Sequence, residues 1–266
     1  MDRILPVMER RKFGETMRRD AWWLPNIPVV VVLTSFIVYA TWAAFQNANY
    51  TSGPYLSPFY SPELWGASPH AWFGPLPNWW PAFLPFSPAL IILPIPALFR
   101  FTCYYYRGAY YKAFWADPPA CAVGEPRKTY WGEKSFPLVL QNLHRYGLLL
   151  STLLLIVLWR DAWLGVWFDN GVGGKEFGIG VGSLVMVVNV LLLSGYTLGC
   201  HATRHLFGGI MNRMSHAPIR KFAYDCSSTC NRRHMNWAWF SLFSVALTDV
   251  YIRLCATGII TDLRIL

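Results

Sequence analysis

Five long apolar segments constrain this chain more than any other feature of its sequence. A membrane-spanning α-helix needs about 20 mostly apolar residues, because each residue adds about 1.5 Å and the hydrocarbon core is about 30 Å thick. The segments that reach this length lie at 27–45, 82–99, 138–159, 179–199 and 237–260. Only 14% of the residues are charged, against about 25% in soluble domains. The sequence therefore predicts an all-α integral membrane protein with five transmembrane helices.

The second apolar segment is unusual because it carries four prolines. Proline removes a backbone donor from a helix, so we expect this helix to be kinked or locally unwound. No internal repeat and no hydrophilic domain interrupts the sequence. We therefore expect residues 1–266 to form a single membrane-anchor domain.

The basic residues predict the orientation of the helices. Lys and Arg number six in residues 1–26, six in 100–137 and six in 200–236, whereas the 46–81 loop has none. A cytoplasmic N-terminus places 18 of the 23 basic residues inside and four outside, as the positive-inside rule requires. We therefore expect an extracytoplasmic C-terminus and a bacterial inner membrane. The net charge of +9 is a signal of membrane topology, and nucleic-acid binding is not predicted.

Histidine and cysteine gather at the predicted inner ends of the helices. The residues concerned are Cys103, His144, Cys200, His201, His205 and His234. Imidazole and thiolate are ligands of zinc and of Rieske-type two-iron centres, whereas two facing histidines would hold a b-type haem. His201 and His205 stand four residues apart, so they share one helix face. The sequence predicts a metal centre near the inner surface and leaves its type open.

Charged residues inside the predicted helices need partners, because an ionisable group at membrane depth is costly. Asp249 and Arg253 stand four residues apart in the fifth segment, and we expect them to pair with each other. Arg145 lies in the third segment beside His144. It either meets a quinone or a cofactor there, or extends its long side chain to the inner surface.

Several local motifs resemble the membrane-anchor subunit of succinate dehydrogenase and fumarate reductase, and most closely the large single-chain anchors of actinobacteria. The motifs are TCYYYRGAYYKAFW (102–115), PPACAV (118–123), FPLVLQNLHRYG (136–147), GCHATRHL (199–206) and RRHMNWAWFSL (232–242). Residues 1–100 match that family in topology alone.

The resemblance implies a role in electron transfer. An anchor of this kind docks a flavoprotein subunit and an iron–sulfur subunit, and passes electrons through an inner-leaflet metal centre to menaquinone or ubiquinone. A Rieske-like [2Fe-2S] cluster is the favoured centre, with one haem b as the alternative. The favoured metal ligands are His201, His205, His234, Cys200 and Cys103. The candidate quinone-binding residues are His144, Arg145, Tyr104, Tyr105 and Tyr106.

The chain itself is not expected to oxidise succinate. It has neither a GxGxxG flavin-binding motif nor a hydrophilic domain to hold a flavin. Two other functions remain open from the sequence. One is a cytochrome b-type anchor of another respiratory dehydrogenase, such as formate dehydrogenase or hydrogenase. The other is a non-enzymatic membrane transporter, which the lack of a two-fold repeat disfavours.

Overall fold

Four long apolar helices dominate a computed structural model of the chain. The structure describes residues 15, 19–81, 83, 86–114, 134–136, 138–209, 213 and 216–266. The helices that are long and apolar enough to cross a membrane are Asn26–Gln46, Val139–Leu164, Val181–Leu198 and His234–Ala256. They coincide with four of the five predicted segments, so the prediction of a mostly helical, multi-pass membrane protein is confirmed. The basic residues before residue 15 and the motif at 118–123 lie outside the described residues, and the orientation stays a prediction.

Helices account for most of the described residues. They are α1 (Asn26–Gln46), α2 (Pro88–Ile92), α3 (Pro94–Phe101), α4 (Tyr104–Phe114), α5 (His144–Leu164), α6 (Val181–Leu198), α7 (His201–Gly208), α8 (Pro218–Asn231) and α9 (His234–Ala256). A 3-10 helix, Leu138–Leu143, leads directly into α5. Two short antiparallel hairpins pair β1 (Thr51–Ser52) with β2 (Tyr55–Leu56) and β3 (Trp167–Asp169) with β4 (Lys175–Phe177).

The second predicted span is broken into two short helices. The α2 helix ends at Ile92 and α3 begins at Pro94, because proline has no N–H to donate and its ring crowds the carbonyl four residues earlier. This break agrees with the expected kink. At about 1.5 Å per residue the whole segment Pro88–Phe101 extends about 21 Å, less than a hydrocarbon core of about 30 Å. A fifth membrane crossing therefore stays a prediction.

Internal contacts divide the chain into two compact units. The smaller unit comprises residues 1–38 and 101–142, and in it the side chains of Cys103 and Tyr106 are buried. The larger unit comprises residues 39–100 and 143–266 and contains α5 to α9. The single-domain prediction is not tested by this division and stays a prediction.

The core of the larger unit lies between α5, α6 and α9. Buried side chains from these helices and from the first hairpin pack together there, namely Tyr55, Leu155, Ala162, Met186, Val190 and Ile252. Large apolar side chains on other faces of the same helices are exposed, among them Leu149, Ile156 and Leu247. An apolar surface of this kind is the expected lipid-facing side of a membrane helix.

A buried ion pair ties the end of α9 to α1. The fully buried Asp249 carboxylate accepts hydrogen bonds from Tyr39 Oη at 2.5 Å, from Ser57 Oγ, and from Arg253 Nε at 2.7 Å. Arg253 also donates to two backbone carbonyls near the end of α1, at 2.8 and 3.2 Å. Every charge-bearing group of the pair is thus hydrogen-bonded, which a buried charge requires. The predicted pairing of Asp249 with Arg253 is confirmed.

The C-terminal tail caps the start of α6. The Asp262 carboxylate accepts hydrogen bonds from Gly182 N at 2.9 Å, Tyr55 Oη at 2.7 Å and Tyr251 Oη at 2.6 Å. The first N–H groups of a helix lack partners within the helix and carry partial positive charge, so a carboxylate placed there is stabilising. The tail therefore caps the Gly182 N–H, while Ser183 Oγ within α6 accepts from the Gly180 N–H at 3.1 Å.

Candidate functional site

A continuous layer of rings lies where α5 and α9 begin and α6 ends. The rings of His144 and Phe99 stack with centroids 4.7 Å apart and an interplanar angle of 11°. Those of Tyr196 and His234 stack at 5.0 Å and 14°. Phe99 meets Tyr196 edge to face at 5.5 Å, which joins the two stacks. We call these four residues the ring layer.

Cys200 contacts the ring layer through His144. Its Sγ lies 3.0 Å from His144 Nε2, and the residue is only 3% exposed. This position follows from a break in the chain: α6 ends at Leu198, Cys200 has an extended backbone, and a new helix begins at His201. The break leaves the thiol buried while the next residue starts a new helix.

Arg100 covers the ring layer with a positive charge. Its guanidinium carbon lies 4.4 Å from the centroid of the Tyr196 ring. The same group donates to the Ala238 carbonyl at 3.1 Å and to Ser241 Oγ at 2.7 Å, which links α3 to α9. From the sequence pattern, Arg100 is only one of the basic residues of a connecting loop, so its contact with Tyr196 is not predicted. The available signal was an arginine in the last turn of an otherwise apolar helix.

Two glycines allow the helices around the ring layer to approach closely. A Cβ at Gly147, in the motif that contains His144, would lie 3.2 Å from the Cα of Phe99. A Cβ at Gly195 would lie 2.5 Å from the Trp237 ring. Small residues at such contacts are typical of packed membrane helices, where close backbone approach replaces the hydrophobic effect as a source of affinity.

His201 and His205 lie apart from the ring layer. Both are exposed on α7, and their Nε2 atoms are 3.1 Å apart, so the predicted shared helix face is confirmed. Loss of water around the ring, together with the positive charges of His205 and Arg204, lowers the pKa of His201 below its usual value. Since α7 is a new helix that begins after the break at Cys200, the orientation of α6 does not determine which residues of α7 are exposed.

The candidate quinone-binding residues are placed in different surroundings. His144 belongs to the ring layer, whereas its neighbour Arg145 is exposed and has no hydrogen-bond or charge partner among the described residues. Tyr104 is exposed beneath the Arg107 guanidinium, at 4.6 Å. The rings of Tyr105 and the buried Tyr106 meet edge to face at 5.6 Å; these tyrosines belong to the smaller unit. Their role in quinone binding stays a prediction.

The donor types at the ring layer fit a Rieske-type centre, but their placement leaves the ligand set incomplete. Cys200, His144 and His234 supply one thiol and two imidazoles. A Rieske cluster binds cysteine and histidine on different irons and so holds them apart, whereas His144 and Cys200 are in direct contact. Among the described residues no group of three or more His, Cys, Asp or Glu side chains is arranged to hold a metal ion. The predicted five-residue ligand set and the metal centre stay predictions.

Comparison with known proteins gives the chain a family. A family model described as the actinobacterial succinate dehydrogenase subunit SdhC matches residues 24–258. The chain belongs to this family. It is also similar to a chain in the solved structure of the Mycobacterium smegmatis Sdh1 complex in the apo form, with 40% sequence identity and a TM-score of 0.85. That alignment covers 98% of this chain and 97% of the other. No curated protein sequence gave a match.

As a member of the SdhC family, the chain is a membrane subunit of a succinate dehydrogenase complex. The resemblance drawn from the local motifs is therefore confirmed. Other subunits of that complex are its partners. Family membership sets aside the two alternatives left open by the sequence, an anchor of a different respiratory dehydrogenase and a transporter.

Proposed function

We propose that this SdhC-family subunit anchors a flavoprotein and an iron–sulfur subunit at the inner face of a bacterial inner membrane and delivers their electrons to menaquinone or ubiquinone. Succinate is oxidised on the soluble subunits, since this chain lacks a flavin-binding motif. The basic connections between the helices, which the positive-inside rule assigns to the cytoplasm, provide the charge that orients a docking partner.

The ring layer with Cys200 is the observation that supports this function most strongly. It brings two imidazoles and a thiol together at the ends of three helices long enough to span the membrane. Ionisable side chains at this depth are costly and are kept mainly where they have a function. Phe99 and Tyr196 fill the space between the two imidazoles, so the site is a packed aromatic path between neighbouring helices.

Cys200, His144 and His234 are donor types that a metal centre would use, but Phe99 and Tyr196 separate the two imidazoles, so the ligands of the proposed centre are not assigned from the ring layer. Cys103 stays a sequence-based candidate for a further thiolate, and the exposure of His201 and His205 argues against them as ligands of this centre. A Rieske-like [2Fe-2S] cluster supplies one-electron transfer at a higher potential than an all-cysteine cluster, and one haem b is the alternative.

The residues around the ring layer have their own roles in this proposal. Arg100 places a fixed positive charge beside Tyr196. This charge would stabilise an electron that is transferred to the ring layer, because opposite charges attract strongly in a medium of low dielectric constant. Arg145 begins the same helix as His144 and is exposed, so its guanidinium is available to a quinone carbonyl. The tyrosines at 104–106 remain sequence-based candidates for quinone binding.

Cys200→Ser in the assembled complex tests this function. We expect quinone reduction to fall by at least about tenfold, the lower end of the loss seen when a metal site is disturbed. Oxidation of succinate by an artificial dye should stay at the wild-type level, because the soluble subunits are untouched. Visible and low-temperature EPR spectra of the same preparation distinguish an iron–sulfur cluster from a haem.

Cys226→Ser is the matched control, because Cys226 is a free and exposed cysteine on α8. It should leave both activities and both spectra unchanged. If Cys200→Ser reduces quinone as fast as the wild type, then the ring layer does not lie on the electron path. If both activities fall together, Cys200 holds the fold or the subunit interface.

A further inference from the structure

The two exposed histidines of α7 form a converging pair outside the ring layer. His201 and His205 have Nε2 atoms 3.1 Å apart, and their ring planes are nearly perpendicular, with centroids 4.7 Å apart. One ring donates its N–H to the other in this arrangement. Both side chains are therefore turned toward each other on the exposed surface of α7.

The spacing of the two nitrogen atoms suits a shared metal ion. With metal–nitrogen bonds of about 2.0–2.1 Å, nitrogens at the observed separation would subtend an angle of about 95–102° at one ion. That angle lies between the octahedral and the tetrahedral values. Occupation of the site would require loss of the shared proton and rotation of the rings until both Nε2 lone pairs point at the ion.

We propose that His201 and His205 form a two-histidine site for a divalent transition-metal ion of the zinc type, separate from the ring layer. Imidazole suits Zn²⁺, Cu²⁺ and Ni²⁺, and water completes the coordination because both rings are exposed. This site does not depend on the proposed electron path, since neither histidine contacts a member of the ring layer in any described hydrogen bond or ring stack.

The neighbouring cation is directed away from the pair. The guanidinium of Arg204 donates to Ser228 at 3.1 Å, to Asn231 at 3.2 Å and to Tyr224 at 3.0 Å, all on α8. The same bonds fix α7 against α8, and the buried Thr203 lies on the inner side of α7. The two imidazoles therefore lie on a helix whose position is fixed by α8. This favours chelation, because the helix backbone need not become ordered when the metal binds.

Cu²⁺ binding to the purified complex, followed by EPR, tests the proposal. The wild-type complex should give a signal with splitting from two imidazole nitrogens, and Zn²⁺ should displace the copper. His201→Gln and His205→Gln should each weaken Cu²⁺ binding by at least about tenfold, since loss of a ligand costs no less than loss of an outer partner. His216→Gln, at another exposed histidine, should bind like the wild type.

A relocated histidine provides the sharpest control. His205→Gln combined with Leu206→His keeps the number of histidines but turns the second imidazole about 100° around the helix, away from His201. Leu206 is exposed, so the helix has room for the substitution. This double variant should stay as weak as His205→Gln alone.

Equal affinity in the wild type and the relocated variant would overturn the proposal, since the copper would then bind any surface histidine. A wild-type complex that takes up no Cu²⁺ would also overturn it. If His205→Gln removes the spectrum of an internal cofactor, the pair belongs to the electron-transfer site and is not a separate one. Loss of the copper signal with quinone reduction intact would support the surface site alone, whatever the fate of the electron-transfer proposal.

Discussion

Arg253→Met should destabilise the protein more than removal of both charges of the buried pair. The substitution leaves the Asp249 carboxylate fully buried, with Tyr39 and Ser57 as its remaining donors. Breaking a buried ion pair on one side costs about 3–5 kcal/mol, because the remaining charge loses its compensation. The carboxylate must then take up a proton or admit water.

The double variant Asp249→Asn with Arg253→Met leaves no charge behind. Its amide can still meet the hydroxyls of Tyr39 and Ser57, so the remaining cost is that of imperfect hydrogen bonding, about 1–3 kcal/mol. The second substitution should therefore restore about 2 kcal/mol of the stability that the first one removes. A rescue of this sign is not expected if the two side chains act independently.

The assay is thermal unfolding of the complex in detergent at one fixed heating rate, because membrane complexes of this kind often unfold irreversibly. The expected order of stability is wild type, then the double variant, then Arg253→Met. Lys221→Met is the matched control: Lys221 pairs with Asp225 at the same four-residue spacing and 2.6 Å, with both side chains 55% exposed. Exposed pairs contribute about 0–1 kcal/mol, so this control should unfold close to the wild type. A double variant less stable than Arg253→Met would refute the reasoning.

Two further predictions concern the ring layer and the tail. Arg100→Met should lower kcat for quinone reduction, because it removes the charge beside Tyr196 and both hydrogen bonds to α9. Arg145→Leu, at an exposed position, should mainly raise the KM for quinone. Equal effects of the two variants on kcat and KM, measured against dye-coupled succinate oxidation, would contradict these different roles. Asp262→Ala should lower thermal stability by about 0.5–2 kcal/mol, the usual cost of a lost helix cap. The exposed Asp169→Ala is its control, and equal destabilisation by both would show that the cap contributes nothing.

Sequence spacing alone was enough to locate the membrane helices and the local pairs. Four apolar segments became long helices within a few residues of the predicted bounds, and the proline-rich segment broke at Pro94. The four-residue spacing of Asp249 and Arg253, and of His201 and His205, brought both pairs together. The position of a membrane helix depends on the free energy of transferring one apolar segment from water into lipid. The pairing of residues four apart depends on the 3.6-residue turn of one helix. Both are set by residues within a single segment, so the sequence of that segment predicts them.

Only the tertiary structure decided which histidine meets which cysteine. The sequence grouped His201 and His205 with His234, because all three were expected at one membrane depth. A new helix begins after the extended Cys200; the histidines of α7 are exposed, and Cys200 meets His144, 56 residues earlier. In the same way, the contact between Arg100 on α3 and the ring of Tyr196 on α6 joins two separate helices. Each residue turns a helix by about 100°, so a small rotation of a helix, or a break in it, changes which neighbouring helix a side chain faces. The spacing of residues within one segment does not specify these rotations or breaks.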